Sequence, residues 1–216
     1  MSPSIASGTR LMPDFYLRDD VLWVARELLG KVLVTSFDGQ RTAGIITEVE
    51  AYRAPDDKAC HAYGNRRTPR TEVMFRAGGC AYIYLCYGLH HLFNVVTGPA
   101  GQAHAVLVRA IEPLDGLALM CNRRRYPAPT LLTSRQKIAL TTGPGALAQA
   151  LGFHTSQSGQ RLTDAHSPMW IEDHGARIAS TDIASGPRIG VAYAGECAAW
   201  EWRFWLRHSP YVRQQP

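Results

Sequence analysis

The chain has 216 residues, 46% of them apolar and 19% charged, which fits one globular domain able to bury a sizeable core; no run is long and apolar enough to span a bilayer. The formal charge is +5 and the isoelectric point near 9.1, and only Lys31, Lys58 and Lys137 of the 23 basic residues are lysines. An arginine-rich excess suits a polyanionic partner, although genome composition produces it too, and five cysteines without a C-x-x-C pair argue against a disulfide framework or a structural zinc site.

In chain order, residues 1–16 lack the apolar segment of a secretory signal and are read as an N-terminal tail, with nothing to direct the protein out of the cytoplasm. Asp19 and Asp20 precede Val21, Val24, Ala25, Leu28 and Leu29 at helical spacing, and Gly30 ends that helix. Residues 31–37 and 42–52 read as strands around an Asp38-Gly39 turn. The second strand sets Glu48, Glu50 and Tyr52 on one face, ordinarily the wet side of a half-buried strand. Residues 53–79, with His61, are polar, proline-bearing and aperiodic, and are expected to form a functional loop.

Residues 82–96 read as two strands meeting near Gly88, with Tyr82 and Tyr84 on one face and Tyr87-Gly88-Leu89 at the tip. Such strands are usually core, but an aromatic at a hairpin tip is better placed to wedge between stacked bases. His90 and His91 point to opposite faces and cannot chelate one metal together. Residues 103–111 form a buried strand carrying Arg109, whose charge needs a carboxylate, Glu48 or Glu50; the pair could be structural or could hold a water. Glu112-Pro113 is expected to open a helix running to Arg123-Arg124-Arg125, arginines read as complements of its dipole. Helices are expected over 134–140 and 144–151, and strands over 169–172, 188–193 and 202–206. Strands and helices do not alternate regularly, so a single α+β domain over 17–212 is expected. The P-loop, G-x-G-x-x-G, H-E-x-x-H and G-x-S-x-G patterns do not occur.

Several stretches in register resemble the alkyladenine (3-methyladenine) DNA glycosylase family: Glu50-Ala51-Tyr52, His61, Thr68-Pro69-Arg70 with Met74-Phe75, Tyr82 to Gly88, Asn94, Val106 to Pro113, Gly143-Pro144 and Gly186 to Val191. The resemblance runs from the first helix to Arg207. It implies a mixed α+β domain with a curved antiparallel sheet and a projecting hairpin. The implied enzyme flips alkylated or deaminated purines out of duplex DNA and hydrolyses the N-glycosidic bond, as a monomer without metal or organic cofactor. By position, Glu50 would be the general base, with Arg109 and the main-chain carbonyl of Ile189 helping to hold the water. Tyr52, His61 and Tyr84 would sandwich the flipped base, and Asn94 would stand against the 2-amino group of guanine. Tyr87 would fill the gap in the duplex, with Gly88, Leu89, Arg70 and Met74 also at the DNA. No lysine falls in the matched pocket positions, so a lyase step through a Schiff base is not expected.

Three positions depart from the family pattern: His90 where some relatives have Tyr, Ala146 where many have Lys, and Cys197 where Trp is usual, with Trp200 near enough to take over its packing. Two other readings stay open on the residues alone, a catalytically silent module for distorted DNA and a hydrolase of free nucleosides.

Overall fold

A computed structural model describes residues 8–213, and part of the expected N-terminal tail, residues 1–7, lies outside them. The remainder of that stretch is built into the fold: β1 (Thr9–Arg10) pairs with the strand at Met169–Asp173, and the short helix α1 (Pro13–Tyr16) buries Tyr16 completely. Helix α2 (Val21–Leu28) follows as expected, its first free N–H groups capped by the Asp20 carboxylate.

The centre of the molecule is β3 (Gln40–Arg53), reached from β2 (Val32–Phe37) through the Asp38-Gly39 turn. One edge of β3 pairs along its length with β6 (His104–Asp115). The other edge is shared by β2, which pairs over Gln40–Ile45, and β9 (Arg203–Leu206), which pairs over Glu48–Glu50. The register with β6 shifts on either side of Glu48, at the boundary between those two partners. Beyond β6 come β5 (His90–Thr97) and β4 (Ala81–Cys86), the arms of the aromatic hairpin. On the far side β2 is followed by β7 (Met169–Asp173) and β1, while β8 (Ile183–Gly186) hangs from β9, completing a nine-stranded antiparallel sheet. The fold is α+β, as expected.

Strand alternation divides the side chains between two faces. Ile83, Phe93, Val95, Val106 and Val108 join the main core under α2, α3 (Leu117–Arg123) and α5 (Pro144–Leu151). Their neighbours Tyr82, Val96 and Ala105 face the other way, into a smaller core closed by Cys60, Met74 and Phe75 of the loop 53–79. The five cysteines are free. Cys197 packs with Ala59, Val191 and Ala194, and Trp200 covers that cluster, as suggested for the missing aromatic.

Two element assignments are corrected. Glu112-Pro113 does not open a helix; β6 continues to Asp115, and α3 starts after Gly116. Pro113 is tolerated because it stands opposite Gly44 at a register shift, on a part of β6 that β5 does not reach. The turn into α3 then falls on Gly116, at φ +72°, where a Cβ would collide with the Arg41 carbonyl. Residues 188–193 are likewise not a strand, since Ala192–Ala199 is a 3₁₀ segment and the strand lies earlier, at β8. Arg188 and Ile189 direct their donors to buried carboxylates, Asp57 and Glu50, instead of to a ladder.

Helix α4 (Ser134–Ala139) forms where expected. The arginines after α3 do more than complement a dipole: Arg123 donates to the Ala150 carbonyl, and Arg124 to Gln149 Oε1 and the Ala139 carbonyl, tying α3 to α5 and α4.

Candidate active site

The sheet face opposite the helices carries a cavity of about 620 Å³, in the size range of small-ligand sites. Alternate residues of four strands line it: Tyr52 from β3, Tyr82 and Tyr84 from β4, Asn94 from β5, and Leu107 and Arg109 from β6. The loop 53–79 contributes His61, Arg70 and Met74, and the segment after β8 contributes Ile189. Of the twelve expected site residues, Glu50, Gly88 and Leu89 are not on the cavity wall.

Glu50 lies directly behind it, fully buried. Its Oε1 accepts from the Ile189 amide at 2.7 Å and faces Arg109 Nη1 at 3.2 Å; its Oε2 accepts from the Tyr52 hydroxyl at 2.8 Å. All three of these residues line the cavity. Each carboxylate oxygen can accept about two hydrogen bonds, so Oε2 keeps capacity for one more. The recorded contact of Ile189 is thus through its N–H, where the carbonyl was expected to matter. Burial and the neighbouring Glu50 charge push the Tyr52 hydroxyl well above its usual pKa, which keeps it a donor.

Neither acid of β3 is on a wet face. Glu48 is also fully buried and takes Arg109 Nε and Arg203 Nε on Oε1, each at 2.7 Å, and the Arg213 amide on Oε2 at 2.8 Å. Two carboxylates and two guanidiniums therefore balance in the interior. Burial opposes the Arg109 charge, yet Glu50 and Glu48 together hold its pKa above normal.

His61 and Tyr84 meet edge to face, ring centroids 4.6 Å apart, which leaves no base-thick gap between them; they form one wall, with Tyr52 elsewhere in the cavity. His61 Nδ1 is 2.9 Å from the Tyr82 hydroxyl and Nε2 is 3.0 Å from Arg70 Nη2. Arg70 Nη2 also stands 3.4 Å from Nδ1, so its positive charge faces both ring nitrogens. Burial and the Arg70 charge lower the His61 pKa to about 4. Asn94 is buried and donates to the Tyr82 and Leu92 carbonyls. Met74, expected beside Tyr87 at the DNA, is instead buried in the cavity wall.

The hairpin projects from this wall. Tyr87 is 89% exposed and Leu89 76%. Tyr87 and Gly88 both adopt positive φ, +51° and +70°, the signature of a tight two-residue turn. Sequence reasoning missed four contributors. Arg203 carried a readable signal, a charge inside an apolar strand like that of Arg109. Asp57 and Arg188 form a buried two-pronged pair that joins the loop 53–79 to the Ile189 segment, and Arg213 reaches the cavity from the C-terminal side.

Comparison with known proteins assigns this architecture. Residues 14–210 match the family model described as methylpurine-DNA glycosylase (MPG). A protein of Bacillus cereus (strain G9842) named "Putative 3-methyladenine DNA glycosylase" is 46% identical over 204 residues, covering 94% of this chain and 98% of the relative. One of the same name from Chlamydia felis is 49% identical over 197 residues, covering 91% and 96%. The chain is a DNA glycosylase, a repair enzyme that hydrolyses N-glycosyl bonds. It belongs to the methylpurine-DNA glycosylase family, the one its sequence motifs resemble.

Proposed function

We propose that the protein flips alkylated and deaminated purines out of duplex DNA into the cavity and removes them with a water activated by Glu50. The observation that carries this reading is the buried Glu50 carboxylate, held by two hydrogen-bond donors and the Arg109 guanidinium, all from residues that line the cavity, and with acceptor capacity left on Oε2. Glu50 takes a proton from the water as its oxygen bonds to C1′ of the sugar; the C1′–N bond breaks and its electron pair leaves with the base. Tyr52, His61 and Tyr84 supply stacking surface, Asn94 meets the purine edge, and Tyr87 with Gly88 and Leu89 fills the gap in the duplex. The enzyme works in the cytoplasm as a monomer, without a metal or nucleotide cofactor.

The names of the relatives support 3-methyladenine as a substrate. That base and 7-methylguanine are cationic in DNA and depart neutral. Hypoxanthine and ethenoadenine are neutral and need a proton or a positive field on departure. His61, with its pKa near 4, is not that proton source at neutral pH.

The test is single-turnover excision from duplexes containing hypoxanthine or ethenoadenine, together with base release from methylated DNA. Glu50→Gln is expected to slow excision by about 10²–10⁴, the usual worth of a general base, while still binding duplex. Turnover retained by Glu50→Gln would refute that role. A wild type that releases none of these bases would overturn the whole reading in favour of a silent binding module.

A further inference from the structure

The family match ends at residue 210, and the residues just beyond it fold back over β3. Thr47 Oγ1 donates to the Tyr211 carbonyl at 2.6 Å, the Arg213 amide donates to Glu48 Oε2 at 2.8 Å, and the Arg203 guanidinium donates to the Arg213 carbonyl. Residues 211–213 are thus a strap pinned to the strand that bears Glu50. The strap leaves the Arg213 side chain exposed on the cavity rim, its Nη1 3.9 Å from where a Cβ on Gly143 would stand.

Among the described residues, four arginines line the cavity and no acidic residue does. Arg109 is neutralised by Glu48 and Glu50, and Arg70 lies against His61 and over the Tyr84 ring. Arg124 and Arg213 differ. Arg124 donates only to neutral acceptors, and its Nε is buried without a partner, as is Thr142 Oγ1 on the same rim. Arg213 forms no ion pair among the described residues. At Arg124 and Arg213 the rim therefore has uncompensated positive charge and surplus donors, on a cavity that Tyr87, His90 and Ala146 also line. A polyanion threaded past the hairpin supplies what is missing, and a nucleic-acid backbone is the polyanion this cavity must meet.

We propose that Arg213, backed by Arg124, binds a backbone phosphate of the strand whose nucleotide enters the cavity, making the strap part of the DNA-binding surface. This rests on the glycosylase reading above. The experiment is duplex binding by fluorescence anisotropy, over a series of salt concentrations, for wild type, Arg213→Gln and Arg213→Lys, with excision followed on the same duplex. Loss of one phosphate contact is expected to lower the slope of log affinity against log salt by about 0.9, which corresponds to roughly eightfold weaker binding at 0.1 M salt. Arg213→Lys should restore the slope, since a phosphate contact needs the charge. Wild-type affinity and slope in Arg213→Gln would overturn the proposal, and so would weaker binding with an unchanged slope, which would mean the strap acts only through packing. If wild type excises bases while Arg213→Gln binds normally, this proposal alone fails; if wild type neither binds nor excises, the glycosylase reading fails with it.

Discussion

At the scale of single residues, the imidazole of His61 couples the cavity to pH. The free side chain titrates near 6.5 and the folded one near 4, because burial and Arg70 both oppose its charge. Between those values the unfolded chain binds more protons than the folded one. Stability from this group is therefore complete above about pH 6.5 and is lost as pH falls toward 4. His61→Gln is expected to flatten the pH dependence of the urea midpoint in that window relative to wild type; parallel curves would show that His61 is not held neutral. The residue types of the site were readable in advance because each is costly out of place: a charge inside an apolar strand, an aromatic at a turn. Arg109 was found in this way. Asp57 was not, because an acid in a polar, proline-bearing loop looks solvated, and its burial depends on Arg188, 131 positions away.

Among the elements, the hairpin β4–β5 holds its shape at a cost. Tyr87 sits at φ +51°, a conformation that disfavours side chains other than Asn, Asp and Gly by about 1 kcal/mol. Tyr87→Asn, which gives the favoured Asn-Gly turn, is expected to raise stability to chemical denaturation by about 0.5–1 kcal/mol. On the proposed role of Tyr87 as the wedge, the same change should impair excision from duplex DNA. Undiminished duplex excision would show that Tyr87 is not the wedge. Periodicity and turn residues located most strands and α2, α4 and α5, since local pattern determines them. It failed at Pro113 and at 188–193. There the backbone answers to distant partners, a register shift opposite Gly44 and the carboxylate of Glu50.

Across the whole molecule, the two walls of the cavity are joined by the Asp57–Arg188 pair, with Arg188 also lying over the rings of Tyr52 and Trp202. Asp57→Ala or Arg188→Met alone strands a buried charge and is expected to cost about 3–5 kcal/mol in urea unfolding. The double variant should cost clearly less than the two together, and simple additivity would show that the pair is not coupled. The α+β class was legible from the order of elements, whereas the sharing of one edge of β3 between β2 and β9 was not, because no local signal records which strands meet. That sharing bears on how the enzyme comes into being. Glu50, Tyr52 and the aromatic walls are synthesised early, but Glu48 draws partners from Arg109, Arg203 and the Arg213 amide, 61, 155 and 165 positions away. A chain halted before residue 203 lacks Arg203 and the Arg213 amide, two of the three partners that hold the Glu48 carboxylate beneath Arg109.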